Sequence, residues 1–209
     1  MSQPSDPTEM LSDELRDPIQ AVGAALAKHG YAELTTKKIA AESSKSEAAL
    51  FRHFDSKDAL IEGFLEFSTD WFRWVIDQTT DDDFTEWLVG TCEVLMGDVD
   101  WELYPGFFVG IHEVISHAPH KPSFQTLLAE YHDYAFESIE AILEKGIHAG
   151  EFKDHDPVGT AVVLYTLSYS VPWYRYVLGM DQRADTLRAQ TYQLIETTVL
   201  VEGTSIPRQ

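Results

Sequence analysis

Arg52 is the residue of this sequence best placed to touch something outside the chain. It sits in the run Ser46 to Phe54, SEAALFRHF. Counting 100° per residue from Glu47 brings Leu50 and Phe54 together on one face, at about 300° and 340°, with Arg52 directly opposite. Ala48 and Ala49 flank Arg52, and Phe51 and His53 fall to either side. A guanidinium on a face thinned by alanines can engage a guanine edge or a phosphate, and the alanine methyls can meet thymine methyls. The chemistry implied is recognition rather than bond-making. Ahead of this run, Thr35 and Ser46 are placed to cap short helices, each hydroxyl accepting from an orphan amide. Glu47 suits compensation of the helix dipole in a first turn better than a cytosine contact.

Charge supports a local footprint for an anion. The 209-residue chain has a net charge of −20, yet Lys28 to Lys57 holds six cations (Lys28, Lys37, Lys38, Lys45, Arg52, Lys57) against four anions. A basic window on an acidic body is what a phosphate-binding head would carry. An average surface would give so small a surplus as well. The acidity elsewhere suggests an organism with a very salty cytoplasm, where hydrated carboxylates keep a protein in solution. Stability should then rise in molar KCl, and a flat response in a denaturation series would remove that reading.

Other chemistry is poorly supported. His112 and His117 are five apart, not four, so a helix does not bring them onto one metal. Together with His120, His148 and His155 they read as capping or solvated residues, and no cofactor is expected. Cys92 is the single cysteine, which excludes an internal disulfide. Trp71, Trp74, Trp101, Phe108, His112, Tyr165, Tyr169 and Trp173 exceed what a minimal helical core needs. They are candidates for a mostly apolar ligand cavity, with core and subunit contacts an equal alternative for each.

The elements that must position these residues are all helical. Residues 1–16 read as a loose acidic tail, and Asp17-Pro18 as a helix start, with proline at the first helical position. Gly30 ends that helix, and two short helices follow over 35–54. A long helix runs from about Lys57 to Gln78, then helices over 84–96, 107–117, 123–147, 157–178 and 184–202. Gly146 and Gly150 read as the fraying end of the helix over 123–147. The fold class is all-α with about nine helices. Its divisions are a tail (1–16), a helix-turn-helix head (17–56) and a helical body (57–204). The most apolar stretch, Ala161 to Trp173, is too short and too polar to span a bilayer. With no signal peptide evident, a soluble, cytoplasmic protein is expected.

Gly30-Tyr31, Thr35-Thr36, Ile39-Ala40, Ser46, Leu50-Phe51, His53-Phe54, Ser56-Lys57 and Leu60 carry a resemblance to the TetR family of one-component transcriptional regulators. Gly146, Gly150-Glu151-Phe152 and Asp156 add a weaker second match. Ser43-Ser44-Lys45 and Phe51 depart from the pattern, which has alanine-glycine-valine at the turn and tyrosine in the recognition helix. The resemblance implies that Thr35, Thr36, His53 and Lys57 position the head on phosphates, with Lys45, Ser46, Glu47, Ala48, Ala49, Phe51 and Arg52 completing the DNA-facing surface. It implies a small-molecule effector held among the aromatics of the body. It also implies a homodimer through 157–178 and 184–202 on a pseudo-palindromic duplex. The function expected is that of a ligand-responsive repressor and not an enzyme. A helical small-molecule binder with lost DNA affinity and a metal-dependent helical enzyme are the rival readings.

Overall fold

The structure, a computed structural model, describes residues 11–50, 52, 54–99 and 104–206. Among these the chain is helical throughout: α1 (Asp13–Glu33), α2 (Thr36–Ala41), α3 (Glu47–Leu50), α4 (Lys57–Gln78), α5 (Phe84–Leu95), α6 (Tyr104–Ile115), α7 (Pro122–Ala149), α8 (Pro157–Pro172) and α9 (Asp181–Leu194). No strand is present among the described residues, only an isolated antiparallel bridge between Phe152 and Leu200. No helix there is long and apolar enough to cross a membrane.

The chain divides into two compact units, one of residues 1–72 and 101–131, the other of 73–100 and 132–209. In the first, α1 lies against α6, and Val22, Ala25, Leu26, Leu60, Ile61 and Phe64 are shut off from solvent. Phe107 gathers three aromatic rings of α4 around it, Phe64 at 5.3 Å, Trp71 at 5.0 Å and Phe67 at 6.3 Å. In the second, α8 lies against both α9 and α5.

Helix starts follow local rules where a polar side chain is available. Thr35 accepts from the Lys38 amide at 3.2 Å, Ser46 from Ala49 at 3.3 Å and Ser56 from Ala59 at 3.0 Å. Asp83 takes two amides, Thr85 at 2.8 Å and Glu86 at 3.1 Å. Each removes one orphan donor of a first turn.

The first helix departs from the Asp17-Pro18 expectation. It begins at Asp13, so residues 13–16 are helical and Pro18 lies inside the helix. A proline there cannot donate to the carbonyl four residues back. That carbonyl belongs to Glu14, and the Lys45 ammonium donates to it instead at 2.7 Å. Helix α6 likewise begins at Tyr104, ahead of the expected Phe107, and α9 at Asp181 rather than Ala184. Both α8 and α9 end in a widened π-type turn, over Trp173–Val177 and Ile195–Val199.

Gly146 is an interior helical residue, not a frayed end. A Cβ at this position would overlap the Phe152 ring, so its absence admits the ring against the helix. The amides of Glu151 and Phe152 both donate to the Gly146 carbonyl, at 3.0 and 3.1 Å, with Gly150 left-handed at φ 77°. This is how a helix end turns back upon itself. Lys153 then continues to the end of α9, its amide 2.8 Å from the Val199 carbonyl.

Candidate nucleic-acid interface

Helix α3 presents the face expected of it. Leu50 is fully buried, while Glu47 and Ala48 are exposed and Ala49 is half-buried. Among the described residues α3 is Glu47–Leu50, and the Arg52 amide makes a tighter bond to the Ala49 carbonyl at 3.3 Å. The chain must turn here to launch α4 from Ser56, so the helix cannot run on to Phe54 as the sequence pattern suggests. Phe54 instead sets its ring against Gly63 of α4, where a Cβ would stand 2.8 Å from it. Arg52 is exposed; Phe51 and His53 lie outside the described residues.

The turn between α2 and α3 is held by a network that the sequence pattern does not disclose. Asp17 of α1 accepts from the Ser43 hydroxyl and, at 2.8 Å, from the Ser44 amide. The Ser43 hydroxyl in turn accepts from the Lys45 amide at 2.9 Å. Ser43-Ser44-Lys45, at the turn where the pattern has alanine-glycine-valine, is thus held by hydrogen bonds to α1. Burial pushes the Asp17 carboxyl up, but the bonds from Ser43 and Ser44 and the nearby Lys45 charge outweigh it and hold it below the usual carboxylate value. A carboxyl lowered by folding stabilises the fold above its unfolded value, and that contribution is lost as pH falls through the folded value. Asp17→Ala should therefore lower stability at neutral pH and flatten the acid limb of a pH–stability curve below about 4. An unchanged acid limb would count against the network.

The six cations of the basic window are unequally available. Lys28 pairs with Glu42 at 2.6 Å and Lys38 with Glu33 at 3.0 Å. Lys45 is turned to the Glu14 carbonyl, and Lys57 donates to Leu34 at 3.3 Å while lying 4.4 Å above the Tyr31 ring. Lys37 and Arg52 remain exposed, with no partner among the described residues. No motif singles out Lys37, and its signal is the charge window alone. Thr35 caps α2, and Thr36 donates to Glu47, tying α2 to α3.

The candidate effector residues fall into two groups. In the first unit Trp71 and Phe108 are 1% and 2% exposed, and their area is spent on the core. His112 lies 4.1 Å from Phe108, its Nδ1 2.9 Å from the Phe108 carbonyl. Burial pushes this imidazole's pKa down despite that bond. A carbonyl only accepts, so Nδ1 carries the proton and Nε2 is an acceptor. In the second unit Tyr165 and Tyr169 stack at 5.4 Å, and Trp173 is 37% exposed. His132, absent from the sequence-based set, bonds the Tyr165 hydroxyl and meets Tyr169 edge-on at 5.3 Å. Phe136 lies 4.1 Å from Tyr165. Trp74 is half-buried on α4, and Trp101 lies outside the described residues.

Cys92 and His117 are engaged in packing, whereas His120 and His148 are exposed. Burial pushes the Cys92 thiol up to about 12, which leaves it inert. Among the described residues no three His, Cys, Asp or Glu side chains converge as metal ligands. His117 is stacked on Tyr31 at 3.9 Å.

A head of three short-to-medium helices with a turn braced on the first, followed by a helical body, defines a helix-turn-helix DNA-binding regulator. Residues 21–63 match the family model described as bacterial regulatory proteins, tetR family. The HTH-type transcriptional regulator YvkB of Bacillus subtilis is 29% identical over 175 residues, 78% of this chain and 86% of that protein. A TetR transcription regulator from Haloarcula marismortui superposes with a TM-score of 0.81 at 27% identity, over 90% of this chain and 100% of that one. A transcriptional regulator from Saccharomonospora viridis, solved in complex with choline, gives 0.77 at 22% identity over 90% and 98%. The head of the chain therefore matches the TetR family, and the chain shares the all-helical fold of TetR regulators.

Proposed function

We propose that this protein is a homodimeric, cytoplasmic repressor that leaves its operator when a small, mostly apolar or aromatic effector binds the body. The observation that carries the DNA half of this reading is Arg52, exposed just beyond α3, the helix that Leu50 anchors in the core. Phosphate contacts from Thr35 and the exposed Lys37 would fix register, and Arg52 would read base edges. The dimer half is supported by α8 and the turn after it. Val158, Val162, Val163, Trp173, Val177, Leu178 and Met180 are all between 37% and 52% exposed. A two-fold axis would cover such a face with its own copy. A ligand-bound relative of the same fold agrees with a sensing body. The effector would release the heads by changing the pose of α4, and DNA must weaken the effector by the factor by which the effector weakens DNA.

A second reading, a small-molecule binder with weak DNA affinity, is favoured by one observation. Lys45 and Lys57 spend their ammonium groups on backbone carbonyls. A gel shift on the protein's own upstream region separates the two. A shifted band that weakens with salt is expected, and no shift at any salt concentration would remove the repressor reading.

A further inference from the structure

We infer that Glu113, on α6, is a positioning residue for DNA recognition: its carboxylate pins the joint in α1 from which α2 and α3 are hung. Gly30, at φ 67° and ψ 163°, breaks the helical path within α1. The Tyr31 amide thereby loses its partner one turn back, and it donates to Glu113 Oε2 at 3.0 Å. Gly30 is what lets the carboxylate in, because a Cβ there would stand 3.0 Å from the same oxygen. Tyr31 is 8% exposed, so without Glu113 its amide would be a buried orphan.

Tyr31 is also where the leads into two other helices meet. Its ring stacks on His117 just beyond α6 and meets Phe124 of α7 edge-on at 6.1 Å. The ammonium of Lys57, at the start of α4, lies over that ring and donates to Leu34, which leads into the Thr35 cap of α2. The Tyr31 hydroxyl donates to Asp58 at 3.4 Å, and Asp58 is paired with Lys121. One carboxylate on α6 therefore fixes the residue that orients the starts of both α2 and α4. The functional consequence is angular. A two-headed reader fits half-sites one helical turn apart only when each head is held at one inclination.

This inference rests on the reading that the chain binds DNA as a dimer, and the test separates the two. Wild type, Glu113→Ala and Glu113→Gln are compared on a duplex selected by the wild type from a random pool, and on the same duplex with one base pair inserted at its centre. The insertion rotates one half-site by about 35°. Wild type should discriminate between the two duplexes by about tenfold or more, and Glu113→Gln, which keeps an oxygen for the amide, should do the same. Glu113→Ala should fall to about twofold discrimination or less. An equal loss on both duplexes, leaving the wild-type ratio intact, marks a purely structural carboxylate and overturns the inference. Exchange of the Tyr31 amide in the wild type gives an arm that needs no variant to fold. It should be at least about a hundredfold slower than an exposed amide, and exchange at the open rate overturns the pin. A wild type that selects no duplex sinks the DNA reading itself, and protection of the Tyr31 amide tells that failure from failure of the pin.

Discussion

Leu50→Ala should cost the chain about 2–5 kcal/mol and abolish operator binding, the range seen when a leucine is cut back in a core that cannot collapse around the gap. Leu50 is the one fully buried side chain of α3, a helix of four residues. So short a helix has almost no stability of its own. Its place depends on Leu50, on the Ser46 cap and on the bond from Thr36 to Glu47. The two polar contacts are exposed and compete with water, so the leucine carries most of the anchoring. Urea unfolding of the two proteins measures the difference. A loss below about 1 kcal/mol would show that α3 is held by something other than its buried face.

Arg52→Ala should leave the fold intact and remove sequence preference at one base pair per half-site, a loss of about 1–3 kcal/mol or roughly 5- to 150-fold. The contrast is Lys37→Ala. An exposed ammonium on α2 acts as a point charge near phosphate, so its loss should weaken all duplexes alike and reduce the salt slope by about one. Competition between the selected operator and single-base variants reads the first effect, and titration across salt concentrations reads the second. Binding by Arg52→Ala with unchanged sequence preference would show that the recognition face has been assigned to the wrong side of α3.

Much of this head is legible in the amino-acid sequence alone, because its signals are local. Thr35 and Ser46 need only the residues three positions ahead to be recognised as caps. The burial of Leu50 follows from its spacing, but the helical count that sets Arg52 opposite it assumes a helix running on to Phe54, which the chain does not form. Where a residue's partner is distant in sequence, the same rules mislead. Judged by its neighbours alone, Pro18 reads as a first-turn proline, yet it lies inside α1. Its actual tolerance depends on Lys45, which replaces the missing donor from across the turn. Glu113 and Tyr31 are eighty-two positions apart, and no periodicity connects them. In the body the excess of aromatic residues is plain, but its use is not. Trp71 and Phe108 are core, while the stacked Tyr165 and Tyr169 are joined by His132, whose place on α7 carries no motif.

The internal commitments of the basic window have a consequence for where such a head can operate. Each phosphate neutralised by a lysine or arginine releases counterions, and that release is driven by dilution of the surrounding electrolyte. In brine the gain disappears. A reader that depended on many such contacts would then let go of its operator. Four of the six cations in this window are already engaged with the protein's own acceptors. On the proposed reading, Lys37 and Arg52 are what remains of this window for a duplex. Such a reader surrenders grip at low ionic strength and keeps its discrimination where the solution itself has screened the phosphates.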